Sequence, residues 1–231
     1  MTSSEKISIN GVVSDTLDIW IDRLPLPPMA QARYTLYNAG DDEDVTTPDD
    51  AYNDVTYTIN FYTFNRTNHY NSDIYAYFAG ARILEISRLP GYYFKVRKVS
   101  GIEPKNTEGV RGDYSVTLTL APFKYKTSND EIAISSGDAI ENTGNRYSCP
   151  TIRANLSGTA NIYTNGSGFT ITATGNNITI DSEKLLVYDS NGAIITNSTA
   201  GYFPMLAVGT NAMWFTGNIS NVRLKKNERC Y

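Results

Sequence analysis

The sequence predicts an all-β protein made of two β-sandwich domains, the first of which carries one short helix. Three observations predict it. Apolar residues alternate with polar ones at a period of two, turn residues cut those runs into short strands, and a polar seam near residues 124–130 divides the chain into halves of ordinary domain size. A hydrophobic fraction of 41% against 19% charged residues is enough for packed cores over 231 residues.

The elements follow in order. An opening strand ends at Ile9-Asn10-Gly11, where the Asn-Gly pair suits a tight turn. In Val55-Thr56-Tyr57-Thr58-Ile59-Asn60-Phe61 the odd positions are apolar and the even ones polar, as a strand with one buried face requires. Ser72 to Gly80 breaks this rhythm: Ile74, Tyr77 and Phe78 share a helical face, Ser72 suits an N-cap and Gly80 a helix end, so a short helix is predicted there. Leu89-Pro90-Gly91 turns the chain, and Val116, Leu118 and Leu120 alternate with Thr117 and Thr119. The seam Lys124-Tyr125-Lys126-Thr127-Ser128-Asn129-Asp130 then separates a first domain, 1–127, from a second, 128–231. Beyond it come Glu131-Ile132-Ala133-Ile134, an alternation at Ile152, Ala154 and Leu156, and another at Phe169, Ile171 and Ala173, with turns at Asn165-Gly166, Gly175-Asn176 and Asn191-Gly192.

Composition narrows the function. A net charge of −4 argues against a nucleic-acid binder, which needs a basic stripe. No apolar run approaches the roughly 18 residues of a membrane helix. The opening Met1-Thr2-Ser3-Ser4-Glu5-Lys6 lacks the basic patch and apolar stretch of a secretory signal. Cys149 and Cys230 are too few for a disulfide framework; two reduced thiols are expected, with pairing left open. The outlier is tyrosine, at 17 residues, which fits both half-buried strands and protein interfaces.

The inventory for catalysis is thin, and neither an enzyme nor a cofactor is expected. His69 is the single histidine and falls in a polar stretch read as a linker before the helix. One histidine and two separated cysteines do not make an ordinary zinc site, and phosphate-loop and dinucleotide fingerprints are absent. Asp181 and Glu183 could share a strand face as a carboxylate pair, though a solvated edge is the plainer reading. The acidic run Asp41-Asp42-Glu43-Asp44, followed by Asp49-Asp50, lacks the glycine and terminal glutamate of an EF-hand and reads as a solvated loop. Arg111-Gly112-Asp113 matches an adhesion tripeptide but sits where a turn enters a strand. Trp20 and Trp214, each flanked by apolar residues, are expected in the cores rather than on a sugar-binding platform.

The order of features carries a resemblance. In the first half it covers Ile9-Asn10-Gly11, Tyr52-Asn53-Asp54-Val55, the helix, Ile83-Leu84-Glu85-Ile86-Ser87, Pro90-Gly91-Tyr92-Tyr93, Phe94-Lys95-Val96 and Thr119-Leu120-Ala121-Pro122-Phe123-Lys124-Tyr125. In the second it covers Asn142-Thr143-Gly144-Asn145, Cys149-Pro150-Thr151-Ile152, Ile180-Asp181-Ser182-Glu183, Tyr188, Phe203-Pro204-Met205-Leu206, Gly209-Thr210-Asn211 and Trp214-Phe215-Thr216-Gly217. In this sequence of motifs the chain resembles the distal tail proteins of long-tailed, non-contractile (siphovirus) phages, the hubs of the tail tip or baseplate.

That resemblance implies a ring-forming N-terminal sandwich, closed as a homohexamer, and a galectin-like C-terminal sandwich. It implies a structural role at the distal end of the virion tail, joining the tail tube and tape-measure protein to a tail-associated lysin and receptor-binding proteins, with DNA passing through the ring only in transit. The galectin likeness is one of fold: a galectin sugar site uses histidine, and residues 130–231 contain none. Some relatives carry an inserted carbohydrate-binding domain, for which this chain is too short. Ring subunits act through interfaces anchored by aromatic residues, so Tyr52, Tyr57, Tyr62, Tyr75 and Tyr77 are candidate interface residues. Asp41, Asp42, Glu43, Asp44, Asp49 and Asp50 are candidates for a lumen-facing loop that repels DNA, or for a docking arm. The rival reading is a sandwich that binds host cell-wall glycan.

Overall fold

The computed structural model describes residues 5–38, 44–64, 68–106, 111–195 and 199–231. The chain divides into two compact units, Met1–Lys124 with Tyr231, and Tyr125–Cys230. Its strands pair antiparallel around two apolar cores, and the one α-helix among the described residues is short, so the all-β class holds.

The first unit contains β1 (Ile7–Ile9), β2 (Val12–Val13), β3 (Ala32–Asn38), β4 (Asp44–Tyr52), β5 (Val55–Thr63), α1 (Asn68–Ala79), β6 (Ile83–Ile86), β7 (Tyr92–Asn106) and most of β8 (Gly112–Lys126). The main sheet runs β5-β8-β7-β6-β1-β2, while β3 and β4 form a separate ribbon. The alternation of β5 is realised residue by residue: Val55, Tyr57, Ile59, Phe61 and Thr63 are buried. Opposite them stand Leu120, Leu118, Val116 and Tyr114 of β8, also buried. Phe61 stacks on Tyr114 at 5.3 Å, and Phe78 of α1 meets Phe61 at 5.4 Å. Burial of each such aliphatic or aromatic side chain stabilises by about 1.5–3 kcal/mol.

Two expectations are corrected here. Helix α1 begins at Asn68, four residues before Ser72, so His69 lies in its first turn and not in a linker. The added turn, Asn68-His69-Tyr70-Asn71, has no apolar spacing from which a helix could be read. At the other end Gly80 follows Ala79 directly, as predicted. Asp44, Asp49 and Asp50 belong to strand β4, not to a loop; Asp44 lies opposite Asn38, and Pro48 opposite Tyr34. Aspartate and proline are poor strand formers, but main-chain pairing in a two-stranded ribbon, where one edge needs no donor, overrides that preference. Asp41, Asp42 and Glu43 lie outside the described residues.

The second unit contains β9 (Ile132–Ala133), β10 (Ala139–Asn142), β11 (Thr151–Thr164), β12 (Ser167–Asp181), β13 (Leu186–Tyr188), β14 (Thr199–Gly201), β15 (Gly209–Lys225) and β16 (Arg229–Cys230). The order β10-β15-β11-β12-β13 is extended by β14 on β12 and β9 on β15. Ile152, Ala154, Leu156, Ala160 and Ile162 of β11 point inward, with Phe169, Ile171 and Ile180 of β12 and Met213 and Leu224 of β15. Trp214 departs from expectation. Met213 occupies the inward position at 0% exposure, so the period of two turns Trp214 outward, 54% exposed. Met213-Trp214-Phe215, apolar throughout, gives no alternation that reveals which face each residue takes.

Candidate assembly surface

In the first unit an aromatic cluster forms where the extended segment before Asp22 bridges to β5. Trp20 and Tyr62 exchange main-chain hydrogen bonds, Trp20 N–H to Tyr62 O at 2.8 Å and Tyr62 N–H to Trp20 O at 2.9 Å. Phe64, 45% exposed, meets Tyr62 at 5.5 Å and Trp20 at 6.2 Å, both edge-on. Trp20 is half-buried, its indole N–H donating to Asp18, and so is not the core residue that its neighbours suggest. The Arg111 guanidinium lies 3.8 Å from the centre of the Tyr62 ring and pairs with Asp113 at 2.7 Å and Asp22 at 3.7 Å. Partial burial, then the hydrogen bond to Asp22, holds the Tyr62 hydroxyl above its ordinary value. Beside the cluster opens a cleft of about 510 Å³ whose lining mixes charged side chains, Asp22, Lys105 and Arg111 among them, with the rings of Phe61, Tyr62 and Tyr114.

The other candidate tyrosines separate by environment. Tyr57 is 2% exposed and its hydroxyl donates to Pro25 O at 2.7 Å; its ring is core and unavailable to a neighbour, which corrects its candidacy. Tyr77 is half-buried and donates to Val12 O at 2.9 Å, tying α1 to β2, and burial raises its hydroxyl. Tyr52 joins Phe123 and Tyr231 in a cluster with centroids 5.0 to 5.8 Å apart, its hydroxyl 2.7 Å from that of Tyr231. Tyr75 points away from the helix core at 41% exposure. Trp20 and Phe64 were legible only as apolar letters; the arginine that completes their cluster lies 47 residues beyond Phe64, and no local spacing joins them.

Asp181 and Glu183, the candidate carboxylate pair, hold main-chain and tyrosine donors. Asp181 Oδ1 accepts from the Glu183 and Lys184 main-chain N–H groups at 3.1 Å, and Glu183 accepts from the Tyr125 hydroxyl at 3.0 Å. Arg111 and Asp113 of the adhesion-like tripeptide pair with each other at the entrance of β8. Among the described residues there is no cluster able to hold a metal ion, and no helix is long and apolar enough to cross a membrane.

No protein-family model matches the chain, and no curated protein matches it in sequence. Among solved structures, the Dit protein (gp 19.1) of phage SPP1, described as a paradigm of the hub adsorption apparatus in phages infecting Gram-positive bacteria, matches over 96% of this chain and 99% of its own, with a TM-score of 0.66 and 13% identity. The chain has the Dit fold. Baseplate structures of phage P2 in the activated conformation, with Ca and with Sr, match over 96–97% of the chain at 11–12% identity and a TM-score of 0.48, too low to add to the argument. At 96% coverage the likeness to Dit spans both units, which is the scale at which the sequence motifs also run.

Proposed function

We propose that this chain is the distal tail protein of a phage, a structural and non-enzymatic baseplate hub. Six copies of its first domain, residues 1–127, close into a ring, and the second, residues 128–231, is galectin-like. The ring joins the tail tube and tape-measure protein to a tail-associated lysin and receptor-binding proteins at the tip of the virion. The observation that carries this reading is the Dit fold over nearly the whole of both chains. It is supported by the Trp20–Tyr62–Phe64–Arg111 patch, since tryptophan, tyrosine and arginine are the residues that dominate protein interfaces.

The acidic ribbon belongs to this proposal. Asp44, Asp49 and Asp50 of β4, with Asp41, Asp42 and Glu43 before them, place six carboxylates within ten residues. Facing the lumen, they repel DNA in transit. One experiment tests both points. Electron microscopy of the purified full chain at micromolar concentration is expected to show six-fold rings of the 25.6 kDa subunit with residues 41–50 at the bore. A monomer throughout overturns the ring; rings with that ribbon on the outer rim retain the hub and overturn the lumen assignment.

A further inference from the structure

The second unit carries exposed aromatic residues on the outer face of its sheet. Trp214 of β15 lies directly opposite Tyr163 of β11, and Tyr163 opposite Gly168 of β12. Tyr202, 78% exposed, donates its main-chain N–H to Gly168 O at 3.0 Å, one step beyond the pairing of Gly201 with Phe169. Residues opposite one another on antiparallel strands share a face, so Trp214 and Tyr163 stand side by side, about 5 Å apart, while the exposed Tyr202 follows β14 just past Gly201 at φ +89°.

Two of these rings pack against glycines. A Cβ built on Gly137 would meet three carbons of the Trp214 six-membered ring at 3.3–3.8 Å, and one on Gly168 would meet the Tyr163 ring at 3.0 Å. Trp214 so placed is 54% exposed and Tyr163 is half-buried. The next row along the strands is Thr216, Asn161 and Thr170, linked by Asn161 Nδ2–H to Thr216 Oγ1 at 3.3 Å and Thr170 Oγ1–H to Asn161 Oδ1 at 2.7 Å. The row after it holds Thr159 and Thr172, their hydroxyls 2.9 Å apart. None of these rows contains a charged residue.

We propose that this face binds a neutral saccharide chain. A pyranose ring offers an apolar C–H face for stacking and a rim of hydroxyls that both donate and accept. Flat π faces beside rows of amide and hydroxyl groups meet both needs, and the lack of charge fits an uncharged ligand. A protein partner fits less well, because stable protein contacts centre on a packed apolar core, and here only three rings are set among small polar residues. This assignment does not rest on ring formation. Aromatic rings covering glycines also support a sheet structurally, so stability and binding must be read separately.

The test uses the full chain with maltohexaose, cellohexaose and chitohexaose as probes, titrated calorimetrically into the millimolar range. At least one hexasaccharide is expected to bind. Trp214→Ala should weaken it by at least about tenfold while the thermal midpoint stays within a few degrees, Trp214→Phe should retain part of the affinity, and Tyr34→Ala, at an exposed position on the first unit, should change nothing. The proposal is overturned if none of the three probes binds, if Trp214→Ala binds as the parent does, or if Trp214→Ala instead abolishes association with another tail protein.

Discussion

Glu228 has a side chain only 5% exposed, yet it stays charged. Burial pushes its carboxyl upward, but the hydrogen bonds outweigh it: Lys226 Nζ at 2.8 Å, the Thr143 N–H and hydroxyl at 2.9 Å each, and Lys126 Nζ at 3.2 Å. The result is a pKa of about 2 in place of 4.5. A group depressed on folding stabilises above its unfolded value, and that stability drains away as pH falls from 4.5 toward 2. The contribution at neutral pH is at most about 3 kcal/mol. Glu228→Gln should therefore destabilise the second unit at pH 7 by about 1–3 kcal/mol and flatten its acid limb, as measured by urea unfolding across pH 2–6. If parent and variant lose stability in parallel through that window, Glu228 is not the titrating group. None of this was legible in the sequence, where Glu228 stands 85 residues from Thr143 and 102 from Lys126.

Among the elements, β15 is the longest strand and is not regular. Its register against β11 shifts between Leu156 and Ala160, and there Gly217 takes φ +88°. A Cβ at Gly217 would lie 2.3 Å from Thr159 O, so both the conformation and the space demand glycine. Gly217→Ala should cost more than about 2 kcal/mol, visible as a lowered unfolding midpoint for the second unit alone; a neutral result would mean the bulge is not held at this residue. Bulges of this kind escape sequence reading, since Thr216-Gly217-Asn218 looks like an ordinary turn. What could be read were strands with one wet face, as in β5, β11 and β12, where the period of two is written in alternating letters. Where both letters are apolar, as at Met213-Trp214, the face is undecided. Where both are acidic, as in β4, pairing with a partner strand supplies what propensity withholds. The helix was legible over Ile74 and Phe78, which bury, and illegible over the polar turn before them.

At the scale of the whole molecule, closure of the proposed ring would make every subunit use the same pair of flanks, so one substitution would be repeated at each junction. That separates surface anchors from core residues in a single measurement. Phe64→Ala and Arg111→Ala remove an exposed ring and the guanidinium stacked on Tyr62 while leaving the first unit's core intact. Each is expected to weaken a junction by about 2 kcal/mol, roughly thirtyfold, so that sedimentation finds monomers at concentrations where the parent is a ring, with thermal midpoints nearly unchanged. Tyr57→Ala, by contrast, empties a site that is 2% exposed, and should lose the ring only because the first unit itself melts earlier. Rings that persist in both surface variants would exclude this patch as the junction and move the search to the exposed side of α1, where Tyr75 stands clear of the core.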